Sequence, residues 1–173
     1  PHKELYKDGE IEGLIKSTEE LAAYFGKKGI SNTSKIIIYD DGSNKYSSRV
    51  YWVLKYLGAE DVRLLHKDMD AWKAARLPLT RNKTTVKAAT FTPKVNSSIM
   101  AVAADVKGCS GNCVVVDSRA ANEFDGTSEK PVSVGHIKGA INVDYKTFVD
   151  DKGAFLPADQ LKAAAEKNGL TAD

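Results

Sequence analysis

Two short runs carry the residue types best able to do chemistry. Val114-Val115-Val116-Asp117-Ser118-Arg119 ends an apolar stretch in a carboxylate and a guanidinium. Gly135-His136-Ile137-Lys138-Gly139-Ala140 sets an imidazole between two glycines. Strand ends are where α/β folds place their working loops, and the default role of Asp117 and Arg119 is an ion pair tying a strand end to its loop. His136, with an ordinary pKa near ~6.5, is a candidate general base. Glu123 adds a second carboxylate just past Arg119. Asp40, after Lys35-Ile36-Ile37-Ile38-Tyr39, is conceivable as a phosphoryl or glycosyl nucleophile, although no acid or metal partner is evident beside it. Cys109 and Cys113, in Gly108-Cys-Ser-Gly-Asn-Cys113, are the only cysteines. They fit either a small disulfide loop or two free thiols at the end of a linker, and both readings stand. His2, His66 and His136 show no ligand spacing with this pair, so no metal is expected.

The elements that would position these residues are read from periodicity. Ser17 and Glu20 form a capping box ahead of a helix running to about Lys28, with Gly29 as its left-handed stop. Ile36 to Tyr39 reads as a strand covered on both faces. Val50, Val53, Leu54 and Leu57 fall at helical spacing within Ser47 to Leu57. Asp61 to Leu65 is a strand, and Asp68 to Ala75 a helix with Trp72 inward. Asn96 to Val106 reads as a helix, Cys113 to Asp117 as a buried strand, Ala120 to Phe124 as a short helix and Ala140 to Val143 as a strand. Gly126 to Val134 is a surface loop. Pro157 opens a helix to Lys167. Strands alternating with helices predict α/β with a parallel sheet. Residues 81–95 have no apolar period and read as a linker, either flexible or an ordered strap.

Glu19 to Ile30 resembles Asp159 to Leu170, with Leu21, Ala23, Lys27 and Gly29 recurring as Leu161, Ala163, Lys167 and Gly169, an offset of 140 residues. Lys7-Asp8-Gly9 and Asp151-Lys152-Gly153 take similar turn-like positions upstream. The copies are out of phase. The strand after the first helix would recur after the second helix only beyond Asp173. The strands ahead of the second helix would have counterparts only before Pro1. Two complete repeats would need roughly 280 residues.

With 25 basic and 23 acidic side chains interleaved, the chain has a net charge of +2 and the look of a solvated surface rather than a nucleic-acid footprint. No run approaches the ~18 apolar residues of a membrane span, and no cleavable signal is visible, although the chain opens on Pro1. A soluble protein of the cytoplasm or periplasm is expected, a Cys109–Cys113 disulfide favouring the latter.

The strand ending in Asp117-Ser-Arg119, followed by Gly135-His-Ile-x-Gly-Ala140, resembles the front half of a rhodanese domain, the fold of thiosulfate and 3-mercaptopyruvate sulfurtransferases. The resemblance covers most of the chain. It implies a rhodanese-like parallel sheet flanked by helices, with residues 1–80 the back half of a first, silent-type domain, 81–95 a linker and 96–173 the front half of a second. The family moves sulfane sulfur from a small anionic donor to cyanide or a thiol through a cysteine persulfide, without a cofactor. The cysteine belongs to the back half. Here Asp40 takes that position, as in the silent domain of tandem members, and Arg49-Val-Tyr-Trp52 and Gly58 to Val62 also resemble that domain. Lys67-Asp68 replaces its usual Gly-Gly. The resemblance implies that Asp117, Arg119, Glu123 and His136 shape a site whose nucleophile is absent from this chain, with His136 fixing a loop rather than moving protons. Glu123 departs from relatives that carry Arg there to bind thiosulfate. The chain alone is expected to be inactive: one part of a split or nicked enzyme, a permuted unit, or a half exchanged with a second copy. The alternatives are a non-catalytic rhodanese-like scaffold and a phosphatase relative on the same fold.

Overall fold

The structure is a computed structural model that describes residues 2–9, 13–66, 69–111, 113–129 and 134–171. The chain divides into two compact units, Pro1–Met100 and Ala101–Asp173. Among the described residues no helix is long and apolar enough to cross a membrane.

The first unit opens with a 3₁₀ turn, His2–Leu5, and a single antiparallel bridge between Tyr6 and Ile15. Helix α1 spans Thr18–Lys27. Its capping box is closed on both sides: the Glu20 N–H donates to Ser17 Oγ at 3.3 Å and the Ser17 N–H to Glu20 Oε2 at 3.0 Å, which satisfies two otherwise orphaned donors. Strand β1 (Lys35–Ile38), helix α2 (Lys45–Tyr56), strand β2 (Asp61–Leu64) and helix α3 (Met69–Ala74) come next. β1 and β2 pair in parallel, Ile36 opposite Val62. Ile36 and Val62 point inward onto Leu21, Phe25, Val53, Leu54 and Leu57, which with Leu5, Ala22, Ala59 and Phe91 make one apolar core. Trp72 is half-buried and its indole N–H donates to the Pro78 carbonyl at 3.3 Å.

The expectation of a strand covered on both faces is corrected here. Ile37 stays 65% exposed and Tyr39 61%, while Ile36 on the alternate face is buried. A continuous apolar run reports the strand's composition, and its burial depends on what packs against it.

Residues 81–95 include an ordered strap across the first unit. The Ala89 N–H donates to Gly26 O, Lys94 to Leu57 O and, just beyond, Asn96 to Tyr56 O, all at 2.8–2.9 Å. Asn32 clasps Thr92 through both its amide groups, at 2.7 and 2.8 Å. Phe91 drops its ring into the core, 6.4 Å from that of Phe25. The strap therefore satisfies carbonyls at the C-terminal ends of α1 and α2, which have no partner within their own helices.

The single helix expected over Asn96 to Val106 is two pieces, a 3₁₀ turn at Ser97–Ile99 and helix α4 at Ala103–Lys107. Asn96 Oδ1 accepts from the Ser98 N–H and hydroxyl, and the Asp105 carboxylate takes the Val102 N–H at 2.7 Å. Such local side-chain bonds offer the backbone an alternative to continuous helix.

In the second unit, β3 (Val116–Asp117) pairs in parallel with β4 (Ile141–Asn142), with helix α5 (Ala121–Phe124) between them. A 3₁₀ turn, Tyr145–Phe148, and helix α6 (Ala158–Lys167) complete it. The strand expected to be buried over Cys113 to Asp117 is shorter and largely bare, with Val114 56% exposed. Val143 and Ala154 are the buried apolar residues described in this unit.

The repeat is written in the hydrogen bonds. Lys7 N–H to Leu14 O in the first unit matches Asp150 N–H to Ala154 O in the second, and Lys16 to Leu5 matches Leu156 to Phe148. The bridge Tyr6–Ile15 matches Val149–Phe155. The helix ends match too: Lys28 to Phe25, Gly29 to Gly26 and Ile30 to Phe25 recur as Asn168 to Ala165, Gly169 to Glu166 and Leu170 to Ala165. Gly29 and Gly169, at φ +80° and +74°, make both stops. The left-handed counterpart of Gly153 is Gly13, not Gly9: their φ values are +77° and +84°.

Candidate functional site

At the end of β3, Asp117 and Arg119 form a dense polar contact. Arg119 Nε lies 3.0 and 3.1 Å from the two carboxylate oxygens and Nη2 2.5 Å from Oδ2; the Arg119 backbone N–H also donates to Oδ1. The Arg119 hydrogen bonds hold the Asp117 carboxyl below its usual range against a smaller opposing effect of burial. Nη2 reaches on to the Gly135 carbonyl at 2.8 Å, so the guanidinium joins the strand end to the glycine-histidine loop.

His136 sits flat on Phe124, ring centroids 3.6 Å apart, with Nδ1 2.9 Å from the Phe124 carbonyl. A carbonyl only accepts, so Nδ1 is the donor in this contact. Asp117, Arg119 and His136 line one open cleft of about 540 Å³, together with Val115, Val116, Ile137 and the 92%-exposed Val134. Glu123 is half-buried on α5, outside that lining, close enough to raise the Arg119 pKa slightly after the larger effect of Asp117.

Asn142 is a site residue that the sequence reading missed. Its side-chain amide donates to the Asp117 and Arg119 carbonyls at 3.0 and 2.9 Å, locking the turn that carries both. An amide in the strand right after Gly139-Ala140 was the only available signal. Asn142→Ala is expected to speed amide exchange at Val143, whose N–H pairs with Asp117 O, roughly tenfold, as the loss of about 1.4 kcal/mol would. Exchange measured by mass spectrometry checks this.

Asp40 lies in the first unit, between β1 and α2. Oδ1 accepts the Gly42 and Asn44 N–H groups at 3.0 and 3.2 Å, and Oδ2 the Ser47 N–H at 3.1 Å. Asn44 adopts φ +56° to turn its N–H inward. Burial pushes the Asp40 carboxyl up, but the hydrogen bonds from Ser47, Gly42 and Asn44 outweigh it, and the net shift is downward. This loop is an anion cradle filled by the chain's own carboxylate. A carboxylate held by several N–H groups is a weak nucleophile, and no cluster of His, Cys, Asp or Glu suited to a metal occurs among the described residues.

Cys109 and Cys113 are joined, Cα atoms 5.3 Å apart, ahead of β3 and at the opposite end of that strand from Asp117. Lys67-Asp68 lies outside the described residues.

Residues 2–75 match the rhodanese-like domain. The chain has sulfurtransferases and a sulfur carrier among its relatives. It is 31% identical over 171 residues to the sulfur carrier protein TtuD of Thermus thermophilus, covering 91% of this chain and 60% of that protein. It is 29% identical over 168 residues to thiosulfate sulfurtransferase of Bos taurus, covering 92% and 57%. The crystal structure of SseA from Escherichia coli, a 3-mercaptopyruvate sulfotransferase of rhodanese fold, superposes over 100% of this chain and 66% of its own, with a TM-score of 0.87 at 24% identity. The rhodanese-like α/β architecture, with parallel strands and flanking helices, is thus that of known sulfurtransferases. The chain spans 52–60% of such relatives' length.

Proposed function

We propose that these residues are the central part of a two-repeat sulfurtransferase: 1–80 the back half of a first rhodanese-like domain, 81–95 its connector and 96–173 the front half of a second. Sulfane sulfur moves from thiosulfate or 3-mercaptopyruvate to a thiol or cyanide through a cysteine persulfide. The thiolate attacks the donor's outer sulfur and expels sulfite or pyruvate, and the acceptor then takes that sulfur. The nucleophilic cysteine is not among the 173 residues. The duplicated hydrogen-bond pattern supports this reading, since matching contacts recur near the start of the first unit and the end of the second. Asp40 marks the first repeat as silent, its carboxylate occupying the N–H cradle that a persulfide would use. Asp117, Arg119, Asn142 and His136 shape the wall of the second repeat's cleft.

A second reading is a non-catalytic rhodanese-like module. It is favoured by the cradle around Asp40, which the chain's own carboxylate fills. The disulfide supports an oxidising compartment such as the periplasm.

The deciding experiment compares denatured intact masses and sulfur transfer to cyanide for the 173-residue chain and for the protein made by its full reading frame. The sulfurtransferase reading expects the longer protein alone to carry an added sulfur after thiosulfate or 3-mercaptopyruvate and to turn over. A full-frame protein that gains no sulfur from either donor defeats it and leaves the module.

A further inference from the structure

We infer that the Cys109–Cys113 disulfide is a reversible thiol-exchange site that small sulfur nucleophiles open in the folded protein. It does not rest on the sulfur-transfer reading, since the pair stands apart from the cleft.

Three observations carry it. First, the bridge spans only four positions of sequence, so it removes little loop entropy from the unfolded chain and contributes correspondingly little to the fold. Second, it ties nothing to a core: Cys113 is exposed, Cys109 half-buried, and α4 just before it holds no buried residue. A nucleophile can therefore reach sulfur without unfolding, which is the situation of labile rather than structural disulfides. Third, Lys107 lies two residues before Cys109 in the last turn of α4, and a cation close to a thiol along the chain favours its thiolate.

The chemistry balances in two steps. A thiolate attacks Cys113 Sγ, the S–S bond breaks, and Cys109 leaves as a thiolate, giving a mixed disulfide. A second thiolate attacks the outer sulfur of that adduct and releases Cys113 as a thiolate. Two thiols are oxidised to one small disulfide and the protein bridge is reduced. With hydrosulfide, the first step instead leaves a persulfide on Cys113 and a thiolate on Cys109, so the pair would itself hold sulfane sulfur. Opening has a local consequence. α4 is five residues long, too short to persist alone, and its end is closed by Gly108 N–H to Ala104 O and Cys109 N–H to Val106 O. With the staple cut, this turn frays.

The test treats the native protein with millimolar glutathione or hydrosulfide, quenches with an alkylating agent and weighs the intact chain. The expected result is no alkylation before treatment, then one glutathione or one sulfur atom added according to the reagent, with both adducts lost in Cys113→Ser. Amide exchange at Gly108 and Cys109 should rise at least ~10-fold on opening while Leu54 and Val62 stay protected. Two alkylations without any reductant would show that the bridge does not form. A bridge that opens only in denaturant, or opening that leaves Gly108 exchange unchanged, would equally overturn the inference.

Discussion

Gly58→Ala is expected to destabilise the first unit by about 3 kcal/mol. Gly58 holds φ +84°, and a Cβ there would stand 2.3 Å from the Lys94 carbonyl oxygen and 2.9 Å from the Lys94 Cβ. The left-handed backbone alone costs an alanine about 1–2 kcal/mol. The obstacle is backbone, so the strap must lift, and with it go the Lys94 N–H bond to Leu57 and the Asn96 N–H bond to Tyr56. Those carbonyls end α2 and have no other helical partner. Both tryptophans, Trp52 and Trp72, lie in the first unit, so urea unfolding followed by tryptophan fluorescence reports on it alone. A loss under 1 kcal/mol would mean that the strap is not a working part of the unit.

Asp40→Ala should cost the same unit about 2–3 kcal/mol at neutral pH, since the Gly42, Asn44 and Ser47 N–H groups lose their shared acceptor at once. Ser47 is buried, 2% exposed, so its N–H finds water least easily. The cost must depend on pH. The folded Asp40 pKa lies below that of a free aspartate, so its contribution is fully present above the unfolded value of about 3.9 and fades as pH falls through the folded one. Wild type should therefore lose stability below about pH 4 more steeply than the variant, the two curves converging in acid. Parallel curves would show that the carboxylate does not anchor the loop. Asp40→Cys tests the same cradle differently: the converging N–H groups should give a thiol that alkylates faster at pH 7 than a free cysteine.

The elements that sequence made legible are those with local signatures. The capping box at Ser17 and Glu20, the glycine stops at 29 and 169 and the apolar spacing of Val53, Leu54 and Leu57 depend on near neighbours, and each appears where its pattern predicts. Asp117 and Arg119 were readable for the same reason, being two residues apart. The features that stayed hidden depend on distant partners. Asn142 acts across 23 and 25 residues, and nothing in its own neighbourhood says so. The strap was one of the two readings open for 81–95, and what stayed hidden is its docking: it has no period because it is neither helix nor strand, and Phe91 is its buried anchor in the core. Its trace in the sequence is indirect: Gly26 and Gly58 are small because Ala89 and Lys94 pass over them. The bare faces of β1 and β3 were unreadable in principle, since composition reports what a strand can bury and not what is present to cover it.

The matched hydrogen bonds fix one more property. Through Lys7 and Asp150 the two copies run 143 residues apart, and from Leu14 and Ala154 onward they run 140 apart. The entire difference in length falls between those two anchors, and the matched contacts outside them are the same in kind. That turn is the place where chain length is free. Extra residues inserted after Asp8, or between Asp151 and Gly153, should leave the flanking bridge and the helix beyond it undisturbed, which makes both turns natural attachment points for a label, a tag or a tether to another protein.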